Sequence, residues 1–248
     1  MKFAVLVWGG WEGHEPRKCV ERFLPFLRGE GVETLVSDSL EVFADPETMR
    51  KADLVVPCWT MGVLTEPQEK GLLAAVAGGA GIAGWHGGMG DAFRNSTDYQ
   101  FMTGGQFVAH PGGILDYTVR VTRPDDPVMA GIPDFTMRSE CYYMHTDPSN
   151  EVLADTVLTG EHAPWTAGCV MPVVWKRRYG AGRVFYSALG HVAADFDTPE
   201  CFEIMKRGML WAAAAWLRCA STRSARPTGR WRSKCRSGCR EAGSMKGG

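Results

Sequence analysis

Six histidines are spread through the chain, and four of them fall where a side chain could do chemistry. His14 ends Trp8-Gly-Gly-Trp-Glu-Gly-His14, just beyond an apolar run. His86 sits directly after another such run, in Gly84-Trp-His-Gly-Gly88. His191 follows a third, in Ala188-Leu-Gly-His191, and His145 lies within Glu140-Cys-Tyr-Tyr-Met-His-Thr-Asp147. Imidazole titrates near neutral pH, so each could act as general base, general acid or metal ligand. The Gly84–Gly88 segment has the pattern of a tight strand-to-helix elbow, a turn that presents its central side chain. That central position holds histidine, not serine or cysteine, so no acyl-enzyme can be built on it. A carboxylate would complete either an acid–base pair or a ligand set. Glu140 is the leading candidate, with Glu15 and Asp147 behind it. Imidazoles with a carboxylate are donors that suit zinc and other borderline divalent ions. His14, His86, Glu140 and His191 are therefore both the expected catalytic set and the candidate metal set. Drawn from separate strand ends, they would leave no local spacing motif, and the sequence shows none.

The elements that must position these groups read as alternating strands and helices. Phe3–Trp8, Val32–Val36, Asp53–Cys58 and Ile82–Trp85 are short apolar runs of the kind that form buried strands. Between them, Pro16–Leu27 carries apolar residues at helical spacing, with Pro25 predicting a kink or a broken last turn. Thr65-Glu-Pro-Gln68 is a capping box opening a helix to about Ala77. Such alternation predicts βα units and a mainly parallel sheet covered on both faces. In an open parallel sheet, ligands bind outside the carboxyl ends of the strands, where three of the histidines would lie. The second half offers Leu115–Val121, Val152–Leu158, Val170–Arg177 and Arg183–Leu189 as strands with few helices between, and Thr198-Pro199 opens a helix to about Leu217. Gly79-Ala-Gly81-Ile-Ala-Gly84 spells a dinucleotide fingerprint, but it ends a helix and enters a strand, which is the wrong context. No nucleotide cofactor is expected.

Composition bounds the rest. At 45% hydrophobic and 22% charged residues over 248 positions, the chain is neither collagen-like nor wholly disordered. No apolar run reaches the ~18 residues that span a bilayer, so no membrane partner is expected. Met1–Trp8 reads as a strand and not as a secretory leader, so the expected compartment is the cytoplasm. The eight cysteines include no CxxC pair, which gives no support to a zinc ribbon or a thioredoxin-type site. The net charge of −1 conceals an asymmetry: residues 221–248 hold eight Lys/Arg and one Glu. This basic stretch has little apolar material and is expected to be a disordered tail, covering 219–248 after a domain at 1–218. A nucleic-acid role for it is the less favoured expectation.

Five segments together resemble the trehalose-utilisation (ThuA-like) family. They are His14-Glu15, Gly84-Trp-His-Gly-Gly88, Phe107-Val-Ala-His-Pro-Gly112, Glu140-Cys-Tyr-Tyr-Met-His-Thr-Asp-Pro148, and Tyr179-Gly-Ala-Gly-Arg-Val-Phe-Tyr-Ser-Ala-Leu-Gly-His191. The resemblance implies an α/β fold of the flavodoxin-like, class I glutamine amidotransferase-like kind, a three-layer sandwich. It also implies a role in carbohydrate metabolism and loss of the amidotransferase cysteine, whose elbow position is taken by His86. Neither Cys58 nor Cys141 sits in that elbow, so amidotransferase activity is not expected. The implied polar pocket comprises His14, His86, Glu140 and His191, with Tyr142 and His145 lining it. Trp11 and Trp85, beside Gly87 and Gly88, complete the expected substrate-binding set; Trp59 also lies near a strand end. Exposed indole faces there would suit the apolar faces of sugar rings, whereas buried ones would fill the core. The expected partner is a small carbohydrate, a homo-oligomer is left open, and the expected cofactor is a divalent metal such as zinc. Two functions compete: an isomerase or hydrolase acting on a sugar, glycoside or keto-sugar, and a non-catalytic sugar-binding or regulatory module.

Overall fold

The computed structural model describes residues 1–214, which fall within one compact unit. The basic stretch 219–248 and the expected helix end at Leu217 lie outside the described residues.

The apolar runs become strands buried on both faces. In β1 (Lys2–Gly10), Ala4, Val5, Leu6 and Val7 are all fully buried, the continuous pattern that two covering layers impose. Helix α1 (Pro16–Gly29) follows and runs through Pro25, so the expected break does not end it. Next come β2 (Val32–Ser37), α2 (Pro46–Lys51), β3 (Leu54–Thr60) and α3 (Glu66–Ala77). The start of α3 is fixed as expected: the Thr65 backbone N–H donates to Gln68 Oε1 at 2.9 Å. The chain continues through β4 (Gly81–Trp85), the short α4 (His86–Gly90), α5 (Thr97–Thr103), β5 (Gly105–Ala109), β6 (Ile114–Val121), β7 (Phe135–Glu140) and β8 (Tyr143–Thr146). It ends with β9 (Glu151–Val157), β10 (Val170–Tyr179), β11 (Gly182–Ser187) and α6 (Pro199–Ala213).

Among the described residues, nine strands form one sheet in the order β2-β1-β3-β4-β11-β10-β9-β6-β7, with β5 and β8 paired separately. The expectation of a mainly parallel sheet is corrected here: the sheet is mixed. The β2-β1-β3-β4-β11 half is parallel, while every pair from β11 through β10, β9 and β6 to β7 is antiparallel. Connection length explains the change. β10 and β11 are joined only by Gly180-Ala181, too short for the crossover that parallel neighbours need. Helices cover both faces. In β11, Phe185 faces Gly208 of α6, and the next residue, Tyr186, faces Gly90 of α4 on the opposite side. Because β1, β4 and β11 run the same way, their carboxyl ends share one edge. Strands β9 and β7 have the same sense as β11, each separated from its like-directed neighbour by one antiparallel strand. Glu140, at the end of β7, thus arrives at the edge where the first-half strands finish.

Candidate active site

Three short turns at that edge deliver the histidines. After β1, a 3-10 turn (Glu12–His14) brings His14 inward, and Glu15 follows it in the left-handed region at φ +46°. After β4, His86 occupies the elbow at φ +41°, again left-handed, a strained conformation for a residue with a Cβ. After β11, Gly190 at φ +96° turns the chain so that His191 faces back. The elbow packs too closely for larger neighbours: a Cβ on Gly87 would stand 2.3 Å from His14 Cε1, and one on Gly88 2.9 Å from Cys58 Cα. Both glycines are buried. Their part is to let His14 and β3 approach the elbow.

His14, His86, Glu140 and His191 converge, each offering one ligand atom within 4.8 Å of all the others. His86 is completely buried. Its Nδ1–H donates to the Ala188 carbonyl at 2.8 Å, and its Nε2 faces Glu140 Oε2 at 3.1 Å. His14 Nδ1 is hydrogen-bonded to the Thr60 hydroxyl at 2.6 Å, and its Nε2 stands 4.0 Å from the same carboxylate oxygen. His191 Nε2 lies 3.6 Å from Glu140 Oε1. Burial and the adjacent His86 and His191 push His14 down to about 3, against the opposing pull of Glu140. Burial chiefly, and His86 next, also lower His191. For Glu140, burial acts to raise the pKa. The hydrogen bond to His86 and the surrounding imidazoles outweigh it, bringing the carboxyl to about 2. At neutral pH the centre therefore holds an ionised carboxylate beside a neutral His14.

These groups fit a divalent ion in donor chemistry. Three imidazoles and a carboxylate suit zinc, and two of the imidazoles have Nδ1 tied to an outside partner, the usual way a ligating ring is oriented. The His86 contact adds a specific demand. A carbonyl can only accept, so Nδ1 carries a proton; Nε2 and Oε2 then confront each other at 3.1 Å. Only a proton or a cation between them relieves the repulsion of facing lone pairs.

Several expected residues lie elsewhere. Trp85 is in the core, 1% exposed, with its ring centroid 5.1 Å from Phe23 and 5.6 Å from Phe196, so its assignment to substrate is corrected: it precedes the elbow and points to the other side of β4. His145 is an exposed residue of β8 paired with Gln106 and away from the cluster, which corrects its placement in the pocket; consecutive strand residues alternate faces, and buried Met144 takes the inner one. Glu15 is engaged by Lys18 and the Ala193 N–H, and Asp147 by Arg177. Trp11, in contrast, is 47% exposed with its ring 4.7 Å from His14, at the rim. Tyr142 is buried against His86, with ring centroids 3.8 Å apart. One member went unassigned in the sequence. His110, half-exposed, places Nε2 3.8 Å from Glu140 Oε1 on the open side. Its signal was its place in Phe107-Val-Ala-His-Pro-Gly112, one of the resembling segments.

Comparison with known proteins agrees with this architecture. A putative ThuA-like protein from Bacteroides uniformis is similar in structure with a TM-score of 0.70 at 15% identity, covering 86% of this chain and 91% of that one. A second, from Parabacteroides merdae, gives 0.68 at 18% identity over 86% and 90%. A β-galactosidase from Bacillus circulans sp. alkalophilus gives 0.52 at 15% identity, covering 86% of this chain and 30% of that much longer one. At such identities the likeness concerns the fold. No curated protein matches the sequence. The model of the family described as ThuA, trehalose utilisation, matches residues 4–212. The chain belongs to the ThuA trehalose-utilisation family.

Proposed function

We propose that this chain is a cytoplasmic carbohydrate-metabolism enzyme that uses a His/Glu centre for acid–base or metal-assisted isomerisation or hydrolysis of a sugar, glycoside or keto-sugar. The observation that carries this reading is the Nε2–Oε2 confrontation of His86 and Glu140, with His86 locked from behind by the Ala188 carbonyl. Such a pair holds a proton at a defined place and exchanges it with a substrate oxygen or carbon. Glu140 is the partner that also reaches the open side, where its Oε1 faces His110 and His191. His86, beneath it, stabilises whichever protonation state the carboxylate leaves. His14 and His191, both held toward the neutral form by burial, supply further acceptors or ligands. The exposed face of Trp11 offers an apolar platform to a pyranose ring. A divalent ion held by His14, His86, Glu140 and His191 would polarise a sugar oxygen or acidify a bound water.

The amidotransferase-like refinement of the fold is part of this proposal, supported by the strained elbow at His86 in the parallel half of the sheet. The cytoplasmic compartment is supported by the free thiols buried at Cys19, Cys58, Cys141 and Cys201. The rival reading, a sugar-binding module without chemistry, draws on the histidine at the nucleophile position. The test is turnover of a glycoside panel that includes trehalose, followed by chromatography. The expected result is turnover by the native chain that falls about a hundredfold or more in His86→Ala and in Glu140→Gln. Binding without turnover would select the module, and turnover indifferent to both substitutions would refute the proposed centre.

A further inference from the structure

One short segment touches all four arms of the centre. Residues Ala193–Asp197 form a 3-10 turn between His191 and α6. The Ala193 N–H donates at 3.3 Å to Oε2 of Glu15, the residue after His14. Phe196 meets Trp85, the residue before His86, edge to face with ring centroids 5.6 Å apart. Asp195 holds the other two arms with a single atom. Its Oδ2 accepts from the hydroxyl of Ser139, the residue before Glu140, at 2.5 Å, and from the backbone N–H of His191 at 2.9 Å. In the sheet, β10, β9 and β6 separate β11 from β7, so no pairing of those two strands sets the spacing between His191 and Glu140. The Asp195 carboxylate bonds both of their segments at once.

His191 has particular need of that bond. His14 and His86 each have Nδ1 tied to a partner outside the centre. Among the described residues, His191 has no ring-nitrogen hydrogen bond, and its Nε2 faces Glu140 Oε1 at 3.6 Å. The place of its ring is therefore set through its backbone. Gly190 before it turns at φ +96°, and a Cβ there would stand 2.5 Å from Phe196 Cζ, so the same 3-10 turn packs against the turn that His191 follows. On the other arm, Ser139 is buried, and a carboxylate accepts a buried hydroxyl proton more strongly than a neutral oxygen does. We propose that Asp195 is a positioning residue of the centre: through one carboxylate oxygen it sets the spacing of Glu140 and His191 that a divalent ion requires. This rests on the metal-assisted reading above and adds to it the residue that brings two of the ligands into register.

The experiment measures zinc affinity of the purified full chain by competition with a chromogenic chelator, with a thermal melt of every variant to show that it folds. Asp195→Asn keeps an acceptor oxygen in place without the charge, and one amide oxygen can accept both bonds. Asp195→Glu keeps the charge but displaces it by one methylene. Positioning predicts that Asp195→Asn stays close to native, whereas Asp195→Glu and Asp195→Ala weaken zinc about 10–100-fold. A purely electrostatic or stabilising role would give the reverse order for Asn and Glu. Because Asp195 acts through His191, their losses should not multiply: His191→Ala should cost about tenfold or more in the native chain and less than about threefold further in Asp195→Glu. Native affinity in Asp195→Glu, the reverse order, or losses that multiply would overturn the proposal and leave the centre standing. If the native chain bound no zinc, the metal-assisted reading and the positioning role would fall together.

Discussion

His86 is held in a left-handed backbone conformation, buried, with one ring nitrogen committed to a carbonyl and the other aimed at a carboxylate. Strain of that kind costs about 1–3 kcal/mol and persists where surrounding structure enforces it, which is common at functional sites. The same logic applies to His14, whose orientation depends on the Thr60 hydroxyl. Thr60→Val should weaken zinc binding about 10–100-fold, by releasing the ring, while costing only about 1 kcal/mol of stability. Competition against a chromogenic chelator measures the first and urea unfolding the second; Thr60→Ser should restore both. Equal zinc affinity in Thr60→Val would show that the ring is positioned by packing alone. At this scale the sequence was informative where a histidine directly followed an apolar run beside glycines. It was silent on Thr60, a strand-end hydroxyl like many others, and it left His110 unassigned because Phe107-Val-Ala109 is too short an apolar run to mark the strand whose end His110 follows. Trp85 was misread for a geometric reason: adjacent residues at a strand end face opposite sides, so the indole before the elbow faces Phe23 and Phe196 in the core.

At the level of elements, the centre exists because an elbow, a 3-10 turn and a glycine turn all leave parallel strands at one edge, and because β7 returns there from the far side of the sheet. The elbow depends on close approach. Gly87→Ala would drive its methyl into His14 Cε1, 2.3 Å away. It should cost about 1–3 kcal/mol and reduce turnover together with metal affinity, since the displaced ring is a member of the centre. Gly29→Ala, at a helix end where a Cβ would meet nothing within 4 Å, should leave both unchanged. Thermal melts and activity on the two variants decide this, and a Gly87→Ala protein with native activity would contradict the packing argument. The first-half strands were legible because burial on both faces makes them continuous apolar runs. β7 was not: Phe-Thr-Met-Arg-Ser-Glu alternates, with only Phe135, Met137 and Ser139 of its first five residues turned inward, and β5 and β8 form a short pair whose longest apolar run is Phe107-Val-Ala109. The path that carries Glu140 to the edge was therefore invisible in the pattern, although the residue itself heads one of the resembling segments.

For the molecule as a whole, the mixed sheet could not be foreseen from apolar runs, because strand direction past β11 is set by connections too short for a crossover. The charge state of the centre has a global consequence. His14 and Glu140 have pKa values of about 3 and about 2 in the folded chain, against ordinary values of 6.5 and 4.5. Below pH 6.5 the unfolded chain takes up a proton at His14 that the folded chain refuses, and below 4.5 the same holds at Glu140. Both make stability fall as pH is lowered, and neither changes it well above 6.5. Melting temperature should thus decline from about pH 6.5 downward, and His14→Gln should soften the first part of that decline without altering the part set by Glu140. An unchanged profile in His14→Gln would mean that the ring protonates freely in the folded state. The claim on which the account rests is that His14, His86, Glu140 and His191 form a single centre able to hold a divalent ion. The most direct measurement is elemental analysis of the full chain after zinc loading and desalting, with and without a chelator, beside His86→Ala and Glu140→Gln. The account predicts about one zinc per chain in the native protein, removed by the chelator and largely lost in each variant. A native chain that retains no zinc, or variants that retain as much as the native chain, would contradict it.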